Sequence, residues 1–141
     1  MSFYSIKNNS GLELDEMEKL LGNFMPFSQK RMGYDQPVSI TFESDEQNGG
    51  NILGKTAYYN PESMGVTIFT DYRHPKDMMR SLSHELVHHA QNCRGEFNRP
   101  MEVGEGYAQK DEHLRKMEEE AYLVGNMTFR DWEDTYKHDL A

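Results

Sequence analysis

Hydrophobic residues recur at helical spacing in four segments of the chain: residues 12–24, 74–95, 109–124 and 127–138. Apolar residues three or four positions apart lie on one face of a helix, so each segment predicts an amphipathic helix. The second segment has the clearest boundaries. His74-Pro75 stand at its start, where proline fits the first helical turn, and Gly95 stands where a C-terminal cap is expected.

Apolar residues alternate with polar ones between the first and second predicted helices. Val38, Ile40 and Phe42 follow this period of two, which predicts a half-buried strand. The turn signal Asn48-Gly49-Gly50-Asn51 then separates this strand from the next. The predicted strands are residues 37–43, 52–59 and 66–69.

The order of these elements predicts an α+β fold. An N-terminal helix precedes a small, mostly antiparallel sheet, and two or three helices follow it. A length of 141 residues predicts one domain, residues 1–141, that is large enough for a modest core. In the last helix, Phe129, Trp132 and Tyr136 lie on one side, which is typical of a core or of an oligomer contact.

The predicted helix over residues 74–95 contains the sequence His84-Glu85-Leu86-Val87-His88. Two histidines four positions apart lie on one face of a helix, close enough to bind the same metal ion. Glu85 lies beside the first histidine and can accept a proton from a water molecule that the metal activates. This pattern predicts the site of a zinc hydrolase, with His84 and His88 as metal ligands and Glu85 as general base.

A catalytic zinc site takes a third protein ligand and leaves one position open for water. The predicted helix over residues 109–124 contains three consecutive glutamates, Glu118 to Glu120. Glu119 faces away from the apolar side of this helix, whereas Glu118 and Glu120 flank that side. The helical period therefore leaves Glu118 and Glu120 as alternatives, and three glutamates on a helix are also typical of a solvated face.

The two helices together resemble the gluzincin branch of the zincin metallopeptidases. In that family, a His-Glu-x-x-His helix is followed by a helix with Glu-x-x-Ala, whose glutamate is the third zinc ligand. The match to Ala121 implies that Glu118 is that ligand. Many members have Asp or Asn directly after the alanine, where this chain has Tyr122. The resemblance covers residues 74–126, and residues 101–126 are also similar to small His-Glu-x-x-His proteins of tailed phages.

The resemblance implies a zincin-like domain that hydrolyses peptide bonds in a protein or peptide substrate, with Zn²⁺ as cofactor. Glu85 would accept the proton of the attacking water and later deliver it to the leaving amine. Chemistry of this kind usually needs another donor for the tetrahedral oxyanion. Tyr107, His113 and Tyr122 are the candidates, and their spacing does not select one of them.

Two other functions are compatible with parts of the pattern. The first is an interaction protein that binds zinc but does not catalyse a reaction, in which Glu85 has no catalytic role. Two histidines and one carboxylate also describe mononuclear iron oxygenases, and Glu85-x-x-His88 is half of a di-iron signature. The sequence has no second Glu-x-x-His, and it has strands where a di-iron bundle requires helices.

Charge and composition exclude several partners. A formal net charge of -9 and the lack of a basic patch argue against nucleic acid or an anionic membrane as partner. Cys93 is the single cysteine and cannot form an internal disulfide, which fits a reducing compartment. The N-terminus has no signal-peptide pattern and no segment has the length of a membrane span, so we expect a cytoplasmic protein, in the host cytoplasm if a phage encodes it.

Overall fold

The structure is a computed structural model that describes residues 3–45, 56–97 and 107–140, and the side chains of all of these except residues 107–111 and 138–140. Along the described chain the elements are β1 (Tyr4–Asn9), α1 (Asp15–Met32), β2 (Val38–Glu43), β3 (Ala57–Asn60), β4 (Gly65–Phe69), α2 (Pro75–Cys93) and α3 (Tyr107–Leu140). None of the described helices combines the length and the apolar composition that a membrane span requires.

The described strands form one sheet in the order β1-β2-β4-β3. The predicted α+β class is confirmed, but the sheet is mixed rather than mostly antiparallel, because β1, β2 and β4 are parallel and β3 alone runs against its neighbour β4. The difference has two sources: β2 pairs with β4 in parallel, and the sheet has a further parallel strand, β1, which the sequence pattern does not reveal. Only Tyr4 and Ile6 of this edge strand are partly buried, so its alternation is weak. Helix α1 connects β1 to β2 as a crossover, and such a connection makes the two strands parallel.

The core lies between the sheet and the helices. In β2, Val38, Ile40 and Phe42 are buried, as their alternation predicts. In the register with β4, Ile40 pairs with Val66 and Phe42 pairs with Ile68, and both partners are buried. The helices contribute most of the remaining buried apolar residues of this cluster, which include Met17, Leu21 and Phe24 of α1, Met79, Leu82 and Leu86 of α2, and Phe129 and Trp132 of α3.

The helices match the predicted segments with two differences. Helix α1 continues beyond residue 24 to Met32 and ends at Gly33, whose φ of 79° is the left-handed conformation that glycine adopts without strain. The predicted segments 109–124 and 127–138 are one continuous helix, α3, of 34 residues. Of the predicted strand over residues 52–59, the structure describes Ala57–Asn60 as strand, and residues 52–55 lie outside the described residues.

Gly125 lies within α3 because α2 approaches it closely. A Cβ atom at this position would lie 2.9 Å from the Cα atom of His84 and 3.1 Å from its backbone nitrogen. The hydroxyl of Ser83 donates a hydrogen bond of 2.6 Å to the carbonyl oxygen of Gly125. The contact therefore joins the backbones of the two helices beside the first histidine of the motif.

We predict that Gly125→Ala destabilises the protein by about 1–3 kcal/mol, because the added methyl group meets backbone atoms that cannot move separately. Gly22→Ala is the matched control. Gly22 is exposed within α1, and a Cβ atom there would lie 3.9 Å from the hydroxyl of Tyr4, an ordinary contact. We expect this control to stabilise the protein by about 0.5–1 kcal/mol. Urea unfolding monitored by circular dichroism measures both changes, and equal stability of the two variants would contradict the close approach.

Candidate metal centre

Helix α2 carries both histidines of the motif and has well-defined ends. His74 is its N-cap, and the Nδ1 atom of His74 accepts a hydrogen bond of 3.1 Å from the backbone N–H of Lys76. Pro75 follows at the first helical position, as predicted. The face of α2 that packs into the core includes Met79, Leu82 and Leu86. His84 and His88 lie away from these residues and keep 19% and 12% of their side-chain surface exposed.

Glu118 of α3 lies opposite the two histidines. Its Oε1 atom is 2.7 Å from Nε2 of His88, and its Oε2 atom is 3.5 Å from Nε2 of His84. One donor atom from each of the three residues lies within 4.8 Å of the other two. His84, His88 and Glu118 therefore form a group that could hold a metal ion.

The distances fit a tetrahedral ion after a small rearrangement. Metal–ligand bonds of about 2.1 Å at tetrahedral angles separate two ligand atoms by roughly 3.4 Å. The 3.5 Å between Nε2 of His84 and Oε2 of Glu118 is close to this value, and the 2.7 Å between Nε2 of His88 and the other carboxylate oxygen, Oε1, is shorter. The Glu118 side chain is 53% exposed, so a rotation of its carboxylate can widen this second distance.

Glu120, the other glutamate that the sequence allows as a ligand, takes part in different interactions. Its Oε1 atom lies 2.7 Å from the guanidinium of Arg94 and accepts a hydrogen bond of 2.8 Å from Gln91. Although burial raises the pKa of Glu120, the hydrogen bonds from Arg94 and Gln91 lower it more strongly, and the pKa lies below its usual value. Among the described residues, the group that could hold a metal ion therefore contains Glu118 and not Glu120.

Glu85 and two members of this group line a cleft of about 550 Å³. The lining residues are Thr56, Ala57, Arg80, Ser81, His84, Glu85, Glu118, Tyr122 and Asn126. Burial raises the pKa of Glu85 to about 7, while the electrostatic interaction with His88 lowers this pKa and that with Glu118 raises it. A divalent cation on the three donors would lower this pKa by Coulomb attraction. Burial lowers the pKa of His84, and the neutral imidazole is the form that binds metals.

The three candidate oxyanion donors lie in different surroundings. The ring of Tyr122 meets that of His84 edge to face, with centroids 4.6 Å apart, and Tyr122 lines the cleft. The Nε2 atom of His113 lies 3.1 Å from the carbonyl oxygen of Glu96, in the turn that follows α2. The side chain of Tyr107 lies outside the described residues. Tyr122 is thus the candidate that the structure brings to the cleft.

Gln91 is a residue of this centre that the sequence analysis misses. Its side chain is fully buried, and its Oε1 atom lies 2.8 Å from Nδ1 of His88. The sequence does contain a signal for Gln91: it follows His88 by three positions and so lies on the same face of the helix. Arg80, which lines the cleft, is a second residue that the sequence analysis misses. It precedes His84 by four positions, so helical spacing also places it on the same face.

No family model, curated protein or solved structure matches this chain. The resemblance to gluzincins therefore rests on the residues of the motif alone. What the centre can do chemically is argued from its geometry.

We predict that the native chain binds one divalent metal ion, and that Glu118→Gln weakens zinc binding by more than the roughly 10- to 100-fold that follows the loss of an outer hydrogen bond. The control is Glu119→Gln, which changes the adjacent exposed glutamate and should leave binding unchanged. Elemental mass spectrometry identifies the metal and its ratio to protein, and competition with a chromophoric chelator gives the affinity. Equal affinities of the two variants would exclude Glu118 as a ligand.

Proposed function

We propose that this protein is a zinc-dependent metallopeptidase that hydrolyses peptide bonds in a peptide or protein substrate. One observation carries the proposal: the imidazoles of His84 and His88 and the carboxylate of Glu118 converge beside a cleft. The half-buried carboxylate of Glu85, which is not part of this group, lines the same cleft. Two histidines and one glutamate are a ligand set of catalytic zinc sites, in which a position stays open for water. A structural zinc site usually has four protein ligands, and the group in the described residues has three.

Zinc bound by His84, His88 and Glu118 would supply Lewis acidity toward a carbonyl group and toward water. Glu85 follows the first ligand directly and lies in the same cleft, so its carboxylate accepts the proton of the attacking water and delivers it to the leaving amine. Tyr122 lines the cleft next to His84, and its hydroxyl is the donor that we assign to the developing oxyanion.

The sheet supplies a surface for an extended substrate. Strand β3 is the last strand in the order of the described sheet, and Ala57 at its start lines the cleft together with Glu85. An extended peptide can add to such an edge through main-chain hydrogen bonds. A substrate bound along β3 would place a peptide bond next to His84 and Glu85, whereas an iron oxygenase has no need of an edge strand for its substrate.

We predict that Glu85→Gln lowers turnover by about 10²- to 10⁴-fold, the usual contribution of a general base, while the zinc content stays the same. The assay is incubation of the zinc-loaded protein with a mixed peptide library, in which mass spectrometry identifies new termini. Glu119→Gln serves again as control and should cleave at the native rate. The native protein cleaving no member of the library would favour the interaction protein that binds zinc without catalysis.

The position of Arg80 in the cleft predicts a preference for substrates with an acidic side chain near the scissile bond. Arg80 lies one helical turn before His84, is 52% exposed and has its guanidinium 5.5 Å from the centre of the Phe129 ring. Among the described lining residues it is the one Lys or Arg side chain, and Asp77 lies at 4.0 Å from it. An exposed ion pair contributes about 0.2–1 kcal/mol, so an acidic side chain next to the scissile bond should gain up to about fivefold in kcat/KM.

We therefore expect Arg80→Ala to lower kcat/KM for peptides with Asp or Glu near the cleavage site by up to about fivefold, with little change for their Asn or Gln analogues. Arg80→Lys keeps the charge and should keep most of the preference. Paired synthetic peptides cut by the native protein and both variants measure the effect. Equal losses on acidic and neutral peptides would show that Arg80 does not select the substrate.

A further inference from the structure

Gln91 connects the second histidine of the motif to α3. Its Oε1 atom lies 2.8 Å from Nδ1 of His88. Its Nε2 atom donates two hydrogen bonds, one of 2.9 Å to the carbonyl oxygen of Met117 and one of 2.8 Å to the carboxylate of Glu120. The Gln91 side chain is fully buried, so water does not compete for these contacts.

The partners of Gln91 determine which way its amide group faces. A backbone carbonyl and a carboxylate can only accept hydrogen bonds, so both must face the amide nitrogen. The pairing of Glu120 with Arg94 at 2.7 Å holds this carboxylate in place. The amide oxygen of Gln91 therefore faces His88, and it can only accept. A flipped amide would leave two acceptors of α3 facing a third acceptor.

The amide in turn determines the tautomer of His88. Because the Gln91 oxygen accepts, the Nδ1 atom of His88 must carry the proton. A neutral imidazole protonated at Nδ1 has its free electron pair on Nε2. In His88 this atom points to Glu118, at 2.7 Å, and so toward the other donors of the metal group; a metal ion bound there takes the place of the hydrogen bond that the Glu118 carboxylate accepts from Nε2 in its absence.

We propose that Gln91 is a positioning residue, which fixes the ring orientation and the metal-binding tautomer of His88, and that Glu120 and Arg94 hold Gln91 in this role. The inference rests on the proposed metal site and adds residues to it. Ligating histidines commonly donate their second N–H to a carboxylate or a carbonyl group, and here a buried side-chain amide supplies the acceptor. Glu120 thus contributes to the centre through Gln91 rather than as a ligand.

Gln91→Met tests the role, because methionine has a similar size and cannot accept the hydrogen bond. We expect zinc affinity to fall by about 10- to 100-fold, the usual effect of losing such a partner. Proton NMR of the zinc-loaded protein reports the hydrogen bond between His88 and Gln91 directly. The native chain should show a slowly exchanging Nδ1 proton on His88, and in the variant this proton should exchange faster with water.

Asn92→Leu is the control for a general loss of stability. Asn92 is the neighbouring buried amide, and its Nδ2 atom donates to the hydroxyl of Tyr59 and to the carbonyl oxygen of Pro61. This variant loses two buried hydrogen bonds without a change at His88. We expect it to lower the unfolding temperature and to keep the native zinc affinity.

The double variant Gln91→Glu with Glu120→Gln provides a rescue experiment. Gln91→Glu alone brings two carboxylates together and should weaken zinc binding. Adding Glu120→Gln restores a donor opposite one oxygen of the new carboxylate, whose other oxygen again accepts from His88. This variant should recover part of the affinity, because the carbonyl oxygen of Met117 still lacks its donor. If Gln91 only stabilised the fold, the double variant would not recover zinc affinity.

The outcomes separate this inference from the proposed function. Zinc binding by the native chain, with both the affinity and the exchange of the His88 Nδ1 proton unchanged in Gln91→Met, overturns the positioning role and leaves the metal site in place. A native chain that binds no zinc overturns the metal site and the positioning role together. A selective loss of affinity in Gln91→Met, with recovery in the double variant, establishes the role.

Discussion

The candidate centre depends on the close contact between the backbones of α2 and α3. At Gly125 a Cβ atom would lie 2.9 Å from the Cα atom of His84, so only glycine allows this approach. Glu118 precedes Gly125 by seven residues, which is about two helical turns, and so lies on the same face of α3 roughly 10 Å away. Ser83 contacts Gly125 and Gln91 contacts Met117, which means that the two helices run antiparallel. The contact at Gly125 therefore fixes the distance at which Glu118 meets the histidines.

A second set of interactions places the edge strand beside the same helix. His89, directly after the second histidine of the motif, is fully buried, and its Nδ1 atom lies 2.8 Å from the hydroxyl of Tyr59 in β3. Its Nε2 atom lies 2.7 Å from the carbonyl oxygen of Gln36. Adjacent histidines on a helix point about 100° apart, so His88 faces the metal group while His89 connects α2 to the sheet. The position of β3 at the cleft thus follows from polar contacts in the core.

These contacts also explain what the sequence can predict. The ends of α2 and the common face of His84 and His88 depend on residues close in the chain, and the pattern predicts both. The choice between Glu118 and Glu120 depends on how α3 packs against α2, and helical spacing alone leaves it open. Strand β1 is held mainly by main-chain pairing with β2, which leaves little trace in the hydrophobic pattern. Local patterns therefore predict the two histidines and their helix, whereas the third residue of the group depends on packing between distant segments.

Glu85 distinguishes a catalytic centre from a site that only binds an ion. The donors that could hold a metal are those of His84, His88 and Glu118, and Glu85 is not among them. Burial of this carboxyl group disfavours its charged form. A site that only binds an ion gains nothing from a half-buried carboxyl group that is not a ligand. A hydrolase needs such a group next to the ligands, within reach of the water that attacks the substrate. Proton transfer in the proposed reaction would explain why the cleft keeps a half-buried carboxyl group, and this argument favours the proposed enzyme over a zinc-binding interaction protein.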